Sequence, residues 1–220
     1  MRFDIVLQKK QGAFGLNVRL QSDTARLAVV GRSGSGKSLL LQLLAGLLQP
    51  DGGHIRFNGE TWFDAQTDVA ARRRRVGLLF QNYALFPHLT VAQNIDFGCV
   101  QSWRNPAKRP SEKAQHWLSL LQLEAVAHLY PHQISGGQQQ RTALARTLIV
   151  EPQLLLLDEP FSALDADLRQ AMRAEVLQIQ QRSGVPMMVV THDAEDAAVL
   201  AEEVWQMENG VLHKTGFVPL

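Results

Sequence analysis

The sequence predicts an α/β fold: a phosphate-binding core flanked by an antiparallel β segment and carrying an inserted helical subdomain. Three observations predict it. The apolar run at 27–30 (Leu-Ala-Val-Val) feeds Gly31-Arg32-Ser33-Gly34-Ser35-Gly36-Lys37-Ser38 and then a leucine-rich run to 48, the strand, glycine loop and helix order that phosphate binding needs. Two more uncharged runs, four leucines at 154–157 and Met-Met-Val-Val at 187–190, have the composition of strands buried on both faces of a parallel sheet. Between 82 and 134 the pattern changes to helical spacing.

The chain of 220 residues is long enough for one domain with an insertion. We expect a single domain over 1–220, with the core and antiparallel segment in 1–81 and 135–220 and the helical subdomain in 82–134. The 22 basic and 21 acidic residues leave a formal charge of +1, which argues against a polyelectrolyte as the main partner, so no direct nucleic-acid contact is expected. Cys99 is the single cysteine, which excludes an intrachain disulfide and gives no metal-cluster spacing; an inert core or half-buried thiol is expected. The first ten residues lack the hydrophobic core of a signal peptide, and nowhere do 18 uncharged apolar residues run together. The expectation is a cytoplasmic protein whose membrane association comes from a partner.

In order, residues 2–7 and 16–20 read as short antiparallel strands, and 27–30 as the strand entering the glycine loop. Gly31, Gly34 and Gly36 let successive amides face one concavity. The helix from 37 to 47 adds its unpaired N-terminal donors. Lys37 is positioned for the β- and γ-phosphates and Ser38 for Mg²⁺, so a nucleotide triphosphatase is expected. Asp51-Gly52-Gly53 reads as a turn, 54–57 as a strand and Asn58-Gly59 as a turn. The four arginines at 72–75 read as a solvated patch before the strand at 76–80, after which Gln81 stands where ligands meet a parallel sheet.

A helix begins at Ser111 and Glu112 beyond an exposed connector at 102–111, and Trp103 and Trp117 read as packing residues. Ser135-Gly136-Gly137-Gln138 opens a helix running toward Ile149 and forms a second candidate phosphate corner. Asp158 and Glu159 follow the leucine strand directly, and two acids there are costly unless paired with cations. Asp158 has the position of an acid that holds Mg²⁺ through water, and Glu159 could polarise the attacking water. Ser162-Ala163-Leu164-Asp165 enters a helix to about 181. The strand at 187–190 is followed by Thr191-His192-Asp193, where His192 suits a γ-phosphate contact, and 204–212 reads as a terminal hairpin after a helix at 194–200.

In order and spacing these pieces resemble the ATP-binding subunit of ABC transporters over nearly the whole chain. The resemblance implies a P-loop NTPase core, with the Walker A loop at 31–38, the Q-loop glutamine at Gln81 and the signature at 134–138, here with Ile134 where leucine is commoner. It further implies Walker B at 154–159, the D-loop at 162–165 and the switch histidine at His192. Two copies would face head to tail with ATP between the Walker A loop of one and Ser135-Gly136-Gly137 of the other. Ser38, Gln81 and Asp158 would hold Mg²⁺, Lys37, Glu159 and His192 would act on the phosphates and the water, and Phe14 or Phe3 would stack on adenine. Tyr83, Leu85, Phe86 and Pro87 look like the surface that receives a permease.

Within the family, residues 74–77, 80–81 and 85–88 are similar to importer subunits for oxyanions and sugars. The compact N-terminus and the hairpin at 58–61 lean toward the molybdate type, with sulfate close behind. The implied partners are permease subunits and, indirectly, a solute-binding protein, at the cytoplasmic face of the cell membrane. Many such importers continue into a carboxyl-terminal regulatory domain; with Leu220 just after the last hairpin, that domain is expected to be absent or not included in these 220 residues. The alternative is a non-transport ABC ATPase clamping nucleic acid or the ribosome, which the arginine run favours weakly.

Overall fold

The alternating side chains of Phe3–Gln11 (β1) and Phe14–Ser22 (β2) turn Phe3, Ile5, Leu7, Leu16, Val18 and Leu20 to one buried face. The two strands pair antiparallel from Phe3 with Ser22 to Gln11 with Phe14, longer than the sequence alone indicates. The computed structural model describes residues 2–99, 105–107, 109–162 and 164–217. Trp103, Ala163 and part of the expected connector at 102–111 lie outside them.

Arg26–Val30 (β3) leads through the glycine loop into Lys37–Ala45 (α1). Gly52–Phe57 (β4) and Glu60–Phe63 (β5) form the hairpin expected around Asn58-Gly59. The predicted turn at 51–53 is largely strand, because Gly52 and Gly53 pair with Gln8 and Leu7 of β1. Ala71–Arg74 (α2) precedes Val76–Leu79 (β6). Residues 82–134 hold Val91–Asp96 (α3) and Glu112–Leu120 (α4) with short 3₁₀ turns. Gly136–Leu148 (α5), Leu154–Asp158 (β7), Ala166–Ser183 (α6), Met187–Thr191 (β8), Ala194–Leu200 (α7), Glu203–Glu208 (β9) and Val211–Phe217 (β10) complete the order. The helix expected after 162–165 runs over Ala166–Ser183, and the Asp165 side chain accepts the Leu168 N–H as its N-cap.

Among the described residues ten strands join in one sheet, in the order β5-β4-β1-β2-β10-β9-β3-β8-β7-β6. The four-residue apolar runs are central here, so their side chains alternate between two cores. Leu154, Leu156, Met188 and Val190 meet α1 on one face, while Leu155, Leu157, Met187 and Val189 meet α3, α4, α5 and α6 on the other. Trp117 packs against that second core, as expected of it. Among the described residues no helix is long and apolar enough to cross a membrane.

The arginine run is not a uniform solvated patch. Arg74 is 1% exposed, because α1 ends nearby at a left-handed Gly46 and leaves carbonyls that need donors. Arg74 Nη1 donates to Leu43 O at 2.8 Å and Leu44 O at 3.0 Å, and its Nε to Val69 O at 2.8 Å. Only Arg72, Arg73 and Arg75 reach the surface. Cys99, expected in or near the core, is exposed. Tyr83 is buried rather than part of a receiving surface, whereas Pro87 is exposed and Leu85 and Phe86 are half-buried.

Candidate functional site

Strands β3, β8 and β7 are parallel neighbours, and their register decides what meets at their carboxyl ends. Val30 pairs with Thr191, and Val190 with Asp158, so the glycine loop, the acids and His192 emerge along one sheet edge. Leu79 pairs with Leu157, which brings the segment holding Gln81 beside the same acids. Residues up to 161 positions apart in sequence thus converge because three apolar strands align.

Around the glycine loop the chain is tightly placed. A side chain at Gly31 would drive its Cβ to 2.4 Å from Met207 O, so only glycine fits there. Gly36 is left-handed at φ 107° and caps α1, with the Phe14 ring lying directly over it. No side chain caps this helix, leaving its N-terminal amides for a ligand. Ser35 Oγ is buried and has no hydrogen-bond partner among the described residues. Such a cradle fits a phosphate group.

Lys37 folds back over the loop, donating from Nζ to Gly31 O at 2.8 Å and Arg32 O at 3.1 Å. The same Nζ stands 3.6 Å from Glu159 Oε1. Ser38 Oγ donates to Asp158 Oδ1 at 2.9 Å. Burial pushes the Asp158 carboxyl up from its ordinary range and the Glu159 charge adds to this, while the Ser38 hydrogen bond and Lys37 oppose it. Among the described residues no three His, Cys, Asp or Glu side chains gather as a metal site. A hydroxyl with one carboxylate suits Mg²⁺, which completes its shell with substrate phosphates and water.

Glu159 Oε2 lies 2.8 Å from His192 Nδ1. A carboxylate can only accept, so Nδ1 carries the hydrogen and Nε2 is turned to other partners. The Glu159 side chain is 12% exposed and the His192 side chain 63%, so the pair runs from the sheet edge to the surface.

A cavity of about 680 Å³ joins Gln11, Phe14, Gly34, Lys37, Gln81, Glu159 and His192. Phe14 is therefore at the site, whereas Phe3 is 1% exposed in the core against Phe57 and is excluded as its alternative. Gln11 was not a sequence candidate, since it reads only as part of a polar strand end. Arg32, Ser33 and Gly34 also border a second hollow of about 850 Å³ against α7 and the start of the 208–210 turn.

Ser135, Gly136, Gly137 and Gln138 are not brought to this cavity. They form the N-terminus of α5, where Ser135 Oγ accepts the Gln138 N–H at 3.3 Å and Gln138 Oε1 accepts the Ser135 N–H at 2.9 Å. Ser135 and Gly136 are exposed, so this corner faces outward. The chain does not bring this second candidate corner to the glycine loop.

The ABC transporter family pattern matches residues 15–162. The sulfate/thiosulfate import ATP-binding protein CysA of Synechocystis sp. is 47% identical over 194 residues, which cover 88% of this chain and 53% of that protein. A probable sulfate/thiosulfate import ATP-binding protein CysA of Chlorella vulgaris is 42% identical over 215 residues, 96% of this chain and 88% of that one. The chain spans about half the length of several of the curated relatives that it matches. Among solved structures, the dimeric ATP-binding cassette MJ0796 bound to ADP and Pi superposes with a TM-score of 0.78 at 28% identity, covering 97% of both chains. The cbiO1 protein from Clostridium perfringens, part of the ABC transporter complex cbiONQ, gives 0.79 at 26% identity, covering 98% of this chain and 87% of that one. With a phosphate cradle, a hydroxyl–carboxylate pair and a Glu–His pair on one sheet edge, and with a family match over most of its length, the chain belongs to the ABC transporter family as one of its ATP-binding domains.

Proposed function

We propose that the chain binds ATP with Mg²⁺ and hydrolyses it at an interface between two copies, driving uptake of an oxyanion through a permease. The observation that carries this reading is the linked set Ser38–Asp158, Lys37–Glu159 and Glu159–His192, which lines up a metal corner, a phosphate cation and a proton-accepting pair. Mg²⁺, when bound, would offset phosphate charge. Ser38 and Asp158 would hold it, with Gln81 at the rim. The loop amides of 31–36 and Lys37 would orient the phosphates, Phe14 would stack on the base, and Glu159 would orient the attacking water with His192 as its hydrogen-bonded partner.

Ser135, Gly136, Gly137 and Gln138 would close over the nucleotide of a second, head-to-tail copy. Their absence from the lining of the first cavity in the same chain and the exposure of Ser135 and Gly136 favour this assignment. In the same reading 82–134 moves as a helical subdomain on the core, and the protein works at the cytoplasmic face, attached through permease subunits that a solute-binding protein serves.

For the passenger, the relatives' names favour sulfate or thiosulfate over molybdate, toward which the compact N-terminus and the hairpin at 58–61 lean. Lys37→Ala should leave the fold intact and weaken ATP binding at least about tenfold, since it removes a charge-assisted contact to phosphate. Calorimetry on the folded variant tests this, and wild-type affinity would overturn the assignment of the site.

A further inference from the structure

Behind the turn that carries His192 stands a charged network with no role in the site described so far. Arg169 and Arg173 lie one helical turn apart on α6 and face the first turn of α7. Arg173 is buried and donates to three carboxylates: Nε to Asp196 Oδ1 at 2.6 Å, Nη1 to Glu195 Oε2 at 2.7 Å and Nη2 to Asp193 Oδ2 at 3.0 Å. Arg169 Nη1 donates to the same Asp193 oxygen at 3.0 Å, while its Nη2 reaches back to Leu164 O at 3.0 Å.

The remaining carboxylate oxygens grip the histidine turn. Asp193 Oδ1 accepts the Glu195 N–H at 2.8 Å, and Asp196 Oδ2 accepts the Thr191 hydroxyl at 2.9 Å, which in turn accepts the Asp193 N–H at 3.0 Å. His192 sits between the two gripped residues. On the other side, Leu164 N donates to Phe161 O at 3.1 Å, and Ser162 donates to Glu159 O from its backbone at 3.3 Å and its hydroxyl at 3.2 Å. Arg169 is therefore a bracket between the turn after β7 and the turn after β8.

Both turns need such a bracket. Glu159 is a non-glycine residue at φ 47°, a strained conformation that persists only where surroundings enforce it. The His192 side chain is 63% exposed, so packing does not fix its ring, and its direction follows the backbone of 191–193. A planar guanidinium can bridge a carboxylate and a carbonyl at once with fixed geometry, which an ammonium point charge cannot.

We propose that Arg169 is a positioning residue that sets the Glu159–His192 contact by bracing the two turns that carry these residues, with Arg173 anchoring the brace. This rests on the reading that Glu159 and His192 serve hydrolysis. The test compares full-length wild type with Arg169→Ala and Arg169→Lys, measuring MgATP turnover and the ring-nitrogen NMR signals of His192. Arg169 is partly exposed, so both variants are expected to fold. We expect kcat to fall about tenfold or more in both while KM for ATP stays within about twofold. The hydrogen-bonded Nδ1–H signal of His192 should weaken in parallel.

Glu159→Gln is the control for the underlying reading: wild-type turnover in that variant would remove the hydrolytic role itself. With that control inactive, wild-type kcat in Arg169→Ala overturns the brace, as does a lowered kcat with an unchanged His192 signal. Should Arg169→Ala unfold, Asp193→Asn, which removes the shared charged acceptor but keeps the Oδ1 cap, is read by the same two measurements.

Discussion

Glu159 stands first after β7, with Asp158 before it at the end of the strand, and their neighbours differ although both are acids. Asp158 is 8% exposed and meets a hydroxyl, whereas Glu159 reaches a lysine and a histidine. Glu159→Gln keeps shape and hydrogen bonding but removes the charge that orients water, so turnover should fall on the order of 10²-fold or more while ATP binding survives. A stopped-flow phosphate assay beside equilibrium ATP binding checks this, and loss of binding in proportion to turnover would contradict it. Asp158→Asn should behave in the opposite sense. Burial disfavours the Asp158 charge, so the amide should raise the melting temperature of the nucleotide-free protein while weakening Mg²⁺-dependent ATP binding. A lower melting temperature without nucleotide would show that the Ser38 and Lys37 contacts outweigh the desolvation.

Helix α1 has opposite needs at its two ends. Its N-terminus is left uncapped under the phosphate loop, and its C-terminus is closed by Gly46 and by Arg74 from α2. A cation at the negative end of the helix dipole holds the element against the sheet without competing for the ligand end. Arg74→Ala would strip buried carbonyls of charge-assisted donors, at a cost of about 3 kcal/mol. Urea unfolding followed by circular dichroism should show that loss, and an unchanged midpoint would mean that water replaces the guanidinium. A similar clamp works from α5: Arg146 donates to Tyr83 O at 2.7 Å and Ala84 O at 2.8 Å, across two consecutive left-handed residues after Gln81. Its guanidinium also lies 5.4 Å from the Phe86 ring centre. The turn after Gln81 is thereby tied to the helix that Ser135 caps.

At the scale of the molecule, the glycine loop and the Ser135 corner lie on different elements, and only the loop lines the cavity beside Lys37 and Glu159. Ser135→Arg adds bulk and an unpaired charge to the outward corner, and should abolish hydrolysis without altering ATP affinity of the single chain. Turnover measured against protein concentration checks this: the wild-type rate per chain should rise with concentration. A rate per chain that stays constant on dilution, together with an active variant, would contradict the shared site.

The sequence by itself determined the strands at 27–30, 154–157 and 187–190, the glycine loop, the acids and the histidine, because each is a local pattern: an apolar run short enough for a buried strand, followed at once by a reactive side chain. It also determined the chemistry expected at Lys37, Ser38, Asp158 and Glu159, since residue type and position after a strand are enough to suggest it. Only the tertiary structure decided that Phe14 rather than Phe3 reaches the cavity: both rings lie on one face of the β1–β2 pair but at opposite ends, and the fold brings the Gln11–Phe14 end to Gly36 while the Phe3 end packs into the core. The fate of Arg74 was illegible for a similar reason: four arginines in a row look alike until α1 ends beside one of them. Arg169 and Arg173 were hidden as ordinary charges of a long helix. Their partners at 164 and 193–196 become neighbours only when β7 and β8 pair and α6 returns across the sheet, a consequence of strand register that no local window of sequence contains.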